Sequence, residues 1–272
     1  MKYLYHYTNV ETLALILSNK TFRLNALHKM DDLQEQATAE GINYGQFCFV
    51  SSWTEEQEES IPMWKMYGNF ESGIRIKMPT HIFKVKENKP IDLERALGQR
   101  VNDETNGVYM KSLITCAEMV EKKIYSPDVF KPEEILKKVE YTKDYDKLYP
   151  KILLQDDENT KILLGEIGLH KNEGWAFQKE WRYRIIVYPF DLSKAITDPD
   201  IMQKVILSMI QGKAYLPFSY YDLQIDEEAF DDMEIMLSPK ISTGNKILVQ
   251  DLVEKYNPKA RIVLSEYAGL IK

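Results

Sequence analysis

Four groups of residues in this chain have the types and the spacing to do chemistry. The densest is Gln178-Lys179-Glu180-Trp181-Arg182-Tyr183-Arg184, where an amide, a carboxylate and two guanidiniums sit among aromatic rings. Such a run is costly to bury unless its charges are paired, so it marks either a site or an ion-pair lattice. Read as a strand, it sets Gln178 and Glu180 on one face at period two, and an amide and a carboxylate then enter one cleft together. Glu180 is the candidate central carboxylate. The competing reading pairs it with Arg182 or Arg184 on a solvated strand.

The second group is Tyr5-His6-Tyr7-Thr8. His6 in an aromatic strand is either a core histidine bonded to backbone or a neutral ring donating to a ligand hydroxyl or amide. Thr8 adds a hydroxyl on the same face. In the third group, Met63-Trp64-Lys65-Met66-Tyr67, the spacing puts Trp64 and Tyr67 on one helix face. Such a pair either packs a core or offers a flat ring to stack on a nicotinamide or a base. The fourth group, Asp31, Asp32 and Glu35, either satisfies a helix N-terminus or offers oxygens to Mg²⁺. The histidines at 6, 28, 81 and 170 have no zinc spacing, and there is no glycine-rich phosphate loop or nucleophile elbow. A bound metal is not expected.

The elements that must carry these groups are legible as apolar periods. Strands are expected at 3–8, 22–24, 46–53, 73–78, 181–188, 233–237 and 261–264, the third of them apolar throughout and so central. Helices are expected at 10–17 behind the Asn9 cap, at 30–40, at 63–67 behind Pro62, at 199–211 and at 246–256. Between about 100 and 170 the spacing reads as mainly helical, over 104–125 and 148–169, with a strand at 139–142. Strands at both ends with helices between them indicate one α+β domain spanning 1–272, with a mixed or antiparallel central sheet and a helical insertion.

Composition sets the outer bounds. With 272 residues and 44% apolar content the chain can bury a real core, and 11% aromatics argue against disorder. A net charge of −7 counts against a broad nucleic-acid surface. The two cysteines, Cys48 and Cys116, make neither a disulfide framework nor a cysteine zinc site. There is no signal-peptide pattern and no apolar run of about 20 residues, so the expected place is the cytoplasm, with no membrane partner.

Taken in order, Tyr5-His6-Tyr7-Thr8, Phe22-Arg23-Leu24-Asn25, Asp31-Asp32-Leu33-Gln34-Glu35, Phe49-Val50-Ser51-Ser52, Met63-Trp64-Lys65-Met66-Tyr67-Gly68 and the stretch from Lys171 to Arg182 resemble a large uncharacterised bacterial family, domain of unknown function twenty-nine seventy-one. The resemblance covers most of the chain. The family usually has Asn-Asp-Pro where this chain has Asp31-Asp32-Leu33, and commonly a carboxylate at the position of Gln178.

More distantly, a strand histidine followed by Thr, a later aromatic and a late-strand Gln/Glu-x-Glu resemble the layout of ADP-ribosyltransferases. That resemblance implies an ADP-ribosyltransferase-like fold and NAD as substrate. It implies His6 against the ribose, Tyr67 or Trp64 against the nicotinamide, Glu180 on the ribose hydroxyl and Gln178 selecting the acceptor. Arg23, Arg182 or Arg184 would neutralise the pyrophosphate, with Arg23 preferred. The implied partners are a protein or nucleic-acid target and, for a toxin or phage-defence effector, an antitoxin or defence-system partner. Two rivals stand beside it. One is a metal-dependent nuclease or phosphodiesterase built on Asp31, Asp32 and Glu35. The other is a non-catalytic ligand-sensing or interaction module in which Glu180 is structural.

Overall fold

The structure is a computed structural model that describes residues 2–88, 110–155, 160–194 and 197–271. It is an α+β fold around a nine-stranded mixed sheet. We number its strands β1 (Tyr3–Asn9), β2 (Thr21–Ala26), β3 (Cys48–Thr54), β4 (Gly73–Pro79), β5 (Leu136–Lys138), β6 (Glu180–Ile186), β7 (Tyr220–Gln224), β8 (Glu234–Leu237) and β9 (Arg261–Leu264). Every strand expected outside the middle third forms, within a few residues of its expected ends. No helix among the described residues is long and apolar enough to cross a membrane.

The feature that matters for function is a fork at β3. One edge of β3 is paired along its whole length by β6, from Glu180 opposite Thr54 to Ile186 opposite Cys48. The other edge is shared. There β2 pairs with one end, Asn25 opposite Val50 and Ala26 opposite Phe49. At the far end β1 pairs once, Tyr5 opposite Thr54. Between these contacts β1 and β2 part. Beyond them β1 continues through β4 and β8 to β9, and β2 pairs with β7.

The helix α1 (Val10–Asn19) carries the chain from β1 to β2. Asn9 starts it, its side-chain oxygen accepting from the Thr12 N–H at 2.8 Å, and Lys20 ends it in the left-handed conformation. Its buried face, Val10, Leu13, Ile16 and Leu17, joins the main core with Leu4, Phe22, Trp53 and Ile76. That core lies on one side of the sheet. A second core, around Tyr44, Phe47, Cys48 and Val50, lies under β3 and the segments leading to it.

The middle third departs from its expected helical character. Among the described residues it holds α2 (Cys116–Lys122), the short α3 (Tyr145–Leu148), the sheet strand β5, and two strands, Leu153–Gln155 and Thr160–Ile162, that pair with each other. Residues 104–109 and 156–159 of the two expected helices lie outside the described residues. Runs such as Ile152-Leu153-Leu154 are too short for periodicity to separate helix from strand, and pairing across the chain decides them. The expected helix over 30–40 reduces to one 3-10 turn, Leu33–Gln36, capped by Asp32 through the Gln34 N–H at 2.9 Å.

Candidate functional site

A cavity of about 450 Å³ opens in the fork. His6 and Thr8 from β1, Arg23 from β2, Tyr67, Gln178 and Glu180 all line it. Register fixes how they arrive. Tyr5 and Glu180 both stand opposite Thr54, so they share one face of the sheet, and His6, next to Tyr5, projects to the other. The two candidate residues meet only because β1 and β2 diverge and the cavity runs through the gap.

His6 sits on the core side of the gap, its ring 5.0 Å from that of Trp53 and 5.7 Å from that of Phe22. Its Nδ1 lies 2.8 Å from the carbonyl oxygen of Ser52, one of the residues that neither β1 nor β2 pairs. A carbonyl only accepts, so Nδ1 carries the proton. Burial lowers the pKa of the ring below its ordinary 6.5, the bond to Ser52 opposing only in part, and a neutral ring leaves Nε2 as an acceptor. The one ring nitrogen not spent on backbone is therefore an acceptor. This corrects the sequence expectation of a donor.

Glu180 sits on the opposite side, inside a buried tetrad. Arg182 grips it with a fork, Nε to Oε1 at 2.5 Å and Nη2 to Oε2 at 3.1 Å, and the Lys171 ammonium reaches Oε2 at 3.0 Å. The fourth member is Glu35, ion-paired with Lys171 at 2.9 Å and with Arg182 at Nη1. Two carboxylates and two cations make the group neutral, the condition for burying them together. Burial works to raise the Glu180 pKa, but Arg182 and then Lys171 hold it down at about 2. In turn the two carboxylates raise the pKa of Arg182 against the effect of its own burial. The Glu180 N–H donates to the Tyr141 hydroxyl at 2.9 Å, and burial pushes that phenol up to about 12.

The sequence expected Gln178 and Glu180 to alternate along one strand. Instead Gln178 ends the 3-10 helix Glu173–Gln178, and Lys179 takes the left-handed conformation, φ 45°, before β6 begins. The two side chains still converge, because Lys171 donates to Gln178 Oε1 at 2.8 Å as well as to Glu180. The Gln178 amide then donates from Nε2 to the Tyr67 hydroxyl at 2.6 Å.

Other expected residues go elsewhere. Trp64 is fully buried, donates from Nε1 to Glu59 at 2.8 Å and packs edge-on against Tyr7 at 4.9 Å, so it is core. On the same π-helical turn, Trp64–Gly68, which winds wider than an α-helix, Tyr67 packs against the Trp64 cluster and lines the cavity. Arg182 is buried in the tetrad and Arg184 donates to the carbonyls of Ile167, Leu164 and Gly165 at 2.7–2.8 Å. Neither guanidinium is free for a phosphate. Arg23 reaches the cavity rim, paired with Asp222 at 2.8 and 3.0 Å and lying 3.6 Å over the Tyr220 ring.

The acidic trio is divided among three tasks. Asp31 lines the cavity, Asp32 caps its turn, and Glu35 serves the tetrad. Among the described residues no group of three or more His, Cys, Asp or Glu side chains is placed to hold a metal ion. Sequence reasoning missed Lys171, a lysine on the short strand His170–Asn172 with no local pattern around it. It also missed the pairing role of Glu35, whose partners lie more than a hundred positions away.

Residues 63–183 match the model of a family described as protein of unknown function, DUF2971. Over that stretch, a little under half of its length, the chain is similar to this family. The DUF2971 stretch supplies Tyr67, Lys171, Gln178, Glu180 and Arg182, while His6 and Glu35 come from outside it. No curated protein and no solved structure matches the chain.

Proposed function

We propose that the forked cavity binds NAD⁺ and that the protein is an ADP-ribosyltransferase-like enzyme. The observation that carries this reading is that His6 and Glu180, from distant strands and opposite sheet faces, line one cavity of about 450 Å³, within the usual range for small-ligand sites. Loss of nicotinamide builds oxocarbenium-like positive charge on the ribose. A carboxylate that stays ionised at neutral pH stabilises that charge. Glu180, with its pKa near 2, is ionised there, which suits an electrostatic role and not that of a general acid. Arg182 and Lys171 use three of its roughly four acceptor positions, and the Ser52 hydroxyl also lies against the carboxylate and helps hold its pKa down, so Glu180 acts by its charge. The His6 Nε2 lone pair supplies an acceptor for the sugar.

In this reading the acceptor of the ADP-ribose group is a protein or nucleic acid, and the resemblance extends it to a toxin or phage-defence effector acting in the cytoplasm. One observation favours a second reading. Glu180 is so fully engaged by its own partners that a cavity binding NAD⁺ without turnover, a ligand-sensing module, is also built from these residues.

Nicotinamide release from NAD⁺ separates the two. The enzyme reading expects release by the wild type and a drop of at least about 100-fold in Glu180→Gln, the scale of losing one preorganised electrostatic contact. Calorimetric binding without release would establish the sensing module. A wild type that neither binds nor cleaves NAD⁺ would remove both.

A further inference from the structure

The polarity of one hydrogen-bond chain reaches the cavity wall. Lys171 has three N–H protons and no acceptor; it donates to Glu180 at 3.0 Å and to Gln178 at 2.8 Å, and its ammonium stands 2.9 Å from Glu35 as an ion pair. The Gln178 atom facing an ammonium must be the carbonyl oxygen, which fixes the amide and turns its NH₂ toward Tyr67. The Tyr67 hydroxyl, 2.6 Å away, is thereby an acceptor for the protein. Its own proton has no protein acceptor among the described residues. Burial, with Asp31, Glu180 and Glu35 adding to it, raises the Tyr67 pKa, so that proton stays on at any physiological pH.

We infer that the Lys171–Gln178 pair fixes Tyr67 as a hydrogen-bond donor into the cavity, so that the ligand presents a carbonyl oxygen to it. The cavity then carries two settled polarities, an acceptor at His6 Nε2 and a donor at Tyr67 Oη. A ligand with hydroxyls at one end and a carbonyl at the other fits both. This rests on the proposed NAD⁺ reading only for the ligand, in which the carboxamide would be the carbonyl. Lys171 and Gln178 are positioning residues and Tyr67 determines specificity.

Two measurements test it. The tyrosine ring doublet in the Raman spectrum distinguishes a phenol that accepts from one that donates. The wild-type minus Tyr67→Phe difference is expected to carry the acceptor signature. In Gln178→Glu a carboxylate accepts from both Lys171 and Tyr67, so the corresponding difference is expected to show the donor signature. Gln178→Met, which removes the donor, is expected to lose the acceptor signature, and circular dichroism checks the fold of each variant. A donor signature in the wild type overturns the inference whether or not NAD⁺ binds.

The second measurement is calorimetry with two dinucleotides, one bearing 3-acetylpyridine and one bearing 3-aminopyridine in place of nicotinamide. The wild type is expected to bind the acetyl compound about tenfold tighter, the scale of one hydrogen bond. Gln178→Glu is expected to reverse that preference. Equal binding of both by the wild type overturns the assignment of a ligand carbonyl. If neither binds, the NAD⁺ reading fails together with the carbonyl assignment, and the Raman signature alone decides the polarity of Tyr67.

Discussion

The two walls of the cavity solve the problem of burying polar groups in opposite ways. The Glu180 wall is fully charged and internally closed, with Lys171 and Arg182 ion-paired to Glu35 and spending their donors on Glu180, Gln178 and the Gly168 carbonyl. The His6 wall is neutral and open. One imidazole nitrogen is spent on Ser52 and the other is left over, among Phe22 and Trp53. A residue's charge therefore says little about its availability to a ligand. What the protein's own bonds leave unspent is the lone pair on His6 and the proton on Tyr67.

The sharpest way to break the contrast is to open the closed wall. Arg182→Ala leaves Glu180 and Glu35 buried beside a single cation, and the cost is expected at about 3–5 kcal/mol, read as a lower urea midpoint. On the open wall His6→Gln gives up one neutral hydrogen bond and some ring packing, and a loss of about 1 kcal/mol is expected in the same assay. Equal losses would erase the distinction between the walls.

Acid separates them next. The folded pKa of Glu180, about 2, lies below its ordinary 4.5, so the unfolded chain takes up this proton first as pH falls. Stability present above pH 4.5 is lost toward pH 2, on the order of 3 kcal/mol in all, and Glu180→Gln should lack this phase. His6 acts earlier and in the same direction. Its folded pKa is depressed below 6.5, so the unfolded ring protonates while the folded one stays neutral, and stability declines as pH falls below 6.5. His6→Gln removes only that upper phase. Urea midpoints followed across the acid range check both, and a single merged phase would show that the two sites are coupled. The smallest effect sits within the Glu180 wall, at the residue between Gln178 and Glu180. Lys179, at φ 45°, suits glycine, and Lys179→Gly is expected to shift stability by less than about 1 kcal/mol, as strain relief and chain entropy offset.

Much of this was readable in the sequence because it is local. β3 announced itself as an unbroken apolar run, α1 by its Asn9 cap, and β1, β4 and β9 by alternation or β-branched residues. The fork was not readable, since whether β1 and β2 share an edge of β3 is a property of pairing between distant segments. For the same reason the period-two argument gave the right meeting of Gln178 and Glu180 for the wrong reason. A left-handed Lys179 breaks the period, and a lysine from another strand restores the convergence. Of the aromatic pair, Tyr67 lines the cavity while Trp64 is buried in the core, a split that helical spacing alone does not reveal and that a π turn carries. Pairing with Arg182 was weighed for Glu180 as a surface feature, but the pair is buried and shared with Glu35 and Lys171.

The most direct test of the central claim is the ¹⁵N spectrum of the histidine rings during a titration with NAD⁺. There are four histidines, so His6→Gln assigns the signal of interest. The account predicts that free His6 shows an unprotonated Nε2 at neutral pH and that this resonance moves as NAD⁺ saturates the cavity, while those of His28, His81 and His170 stay in place. A His6 signal that remains still at saturating NAD⁺, or one that is protonated at Nε2 in the free protein, would contradict it.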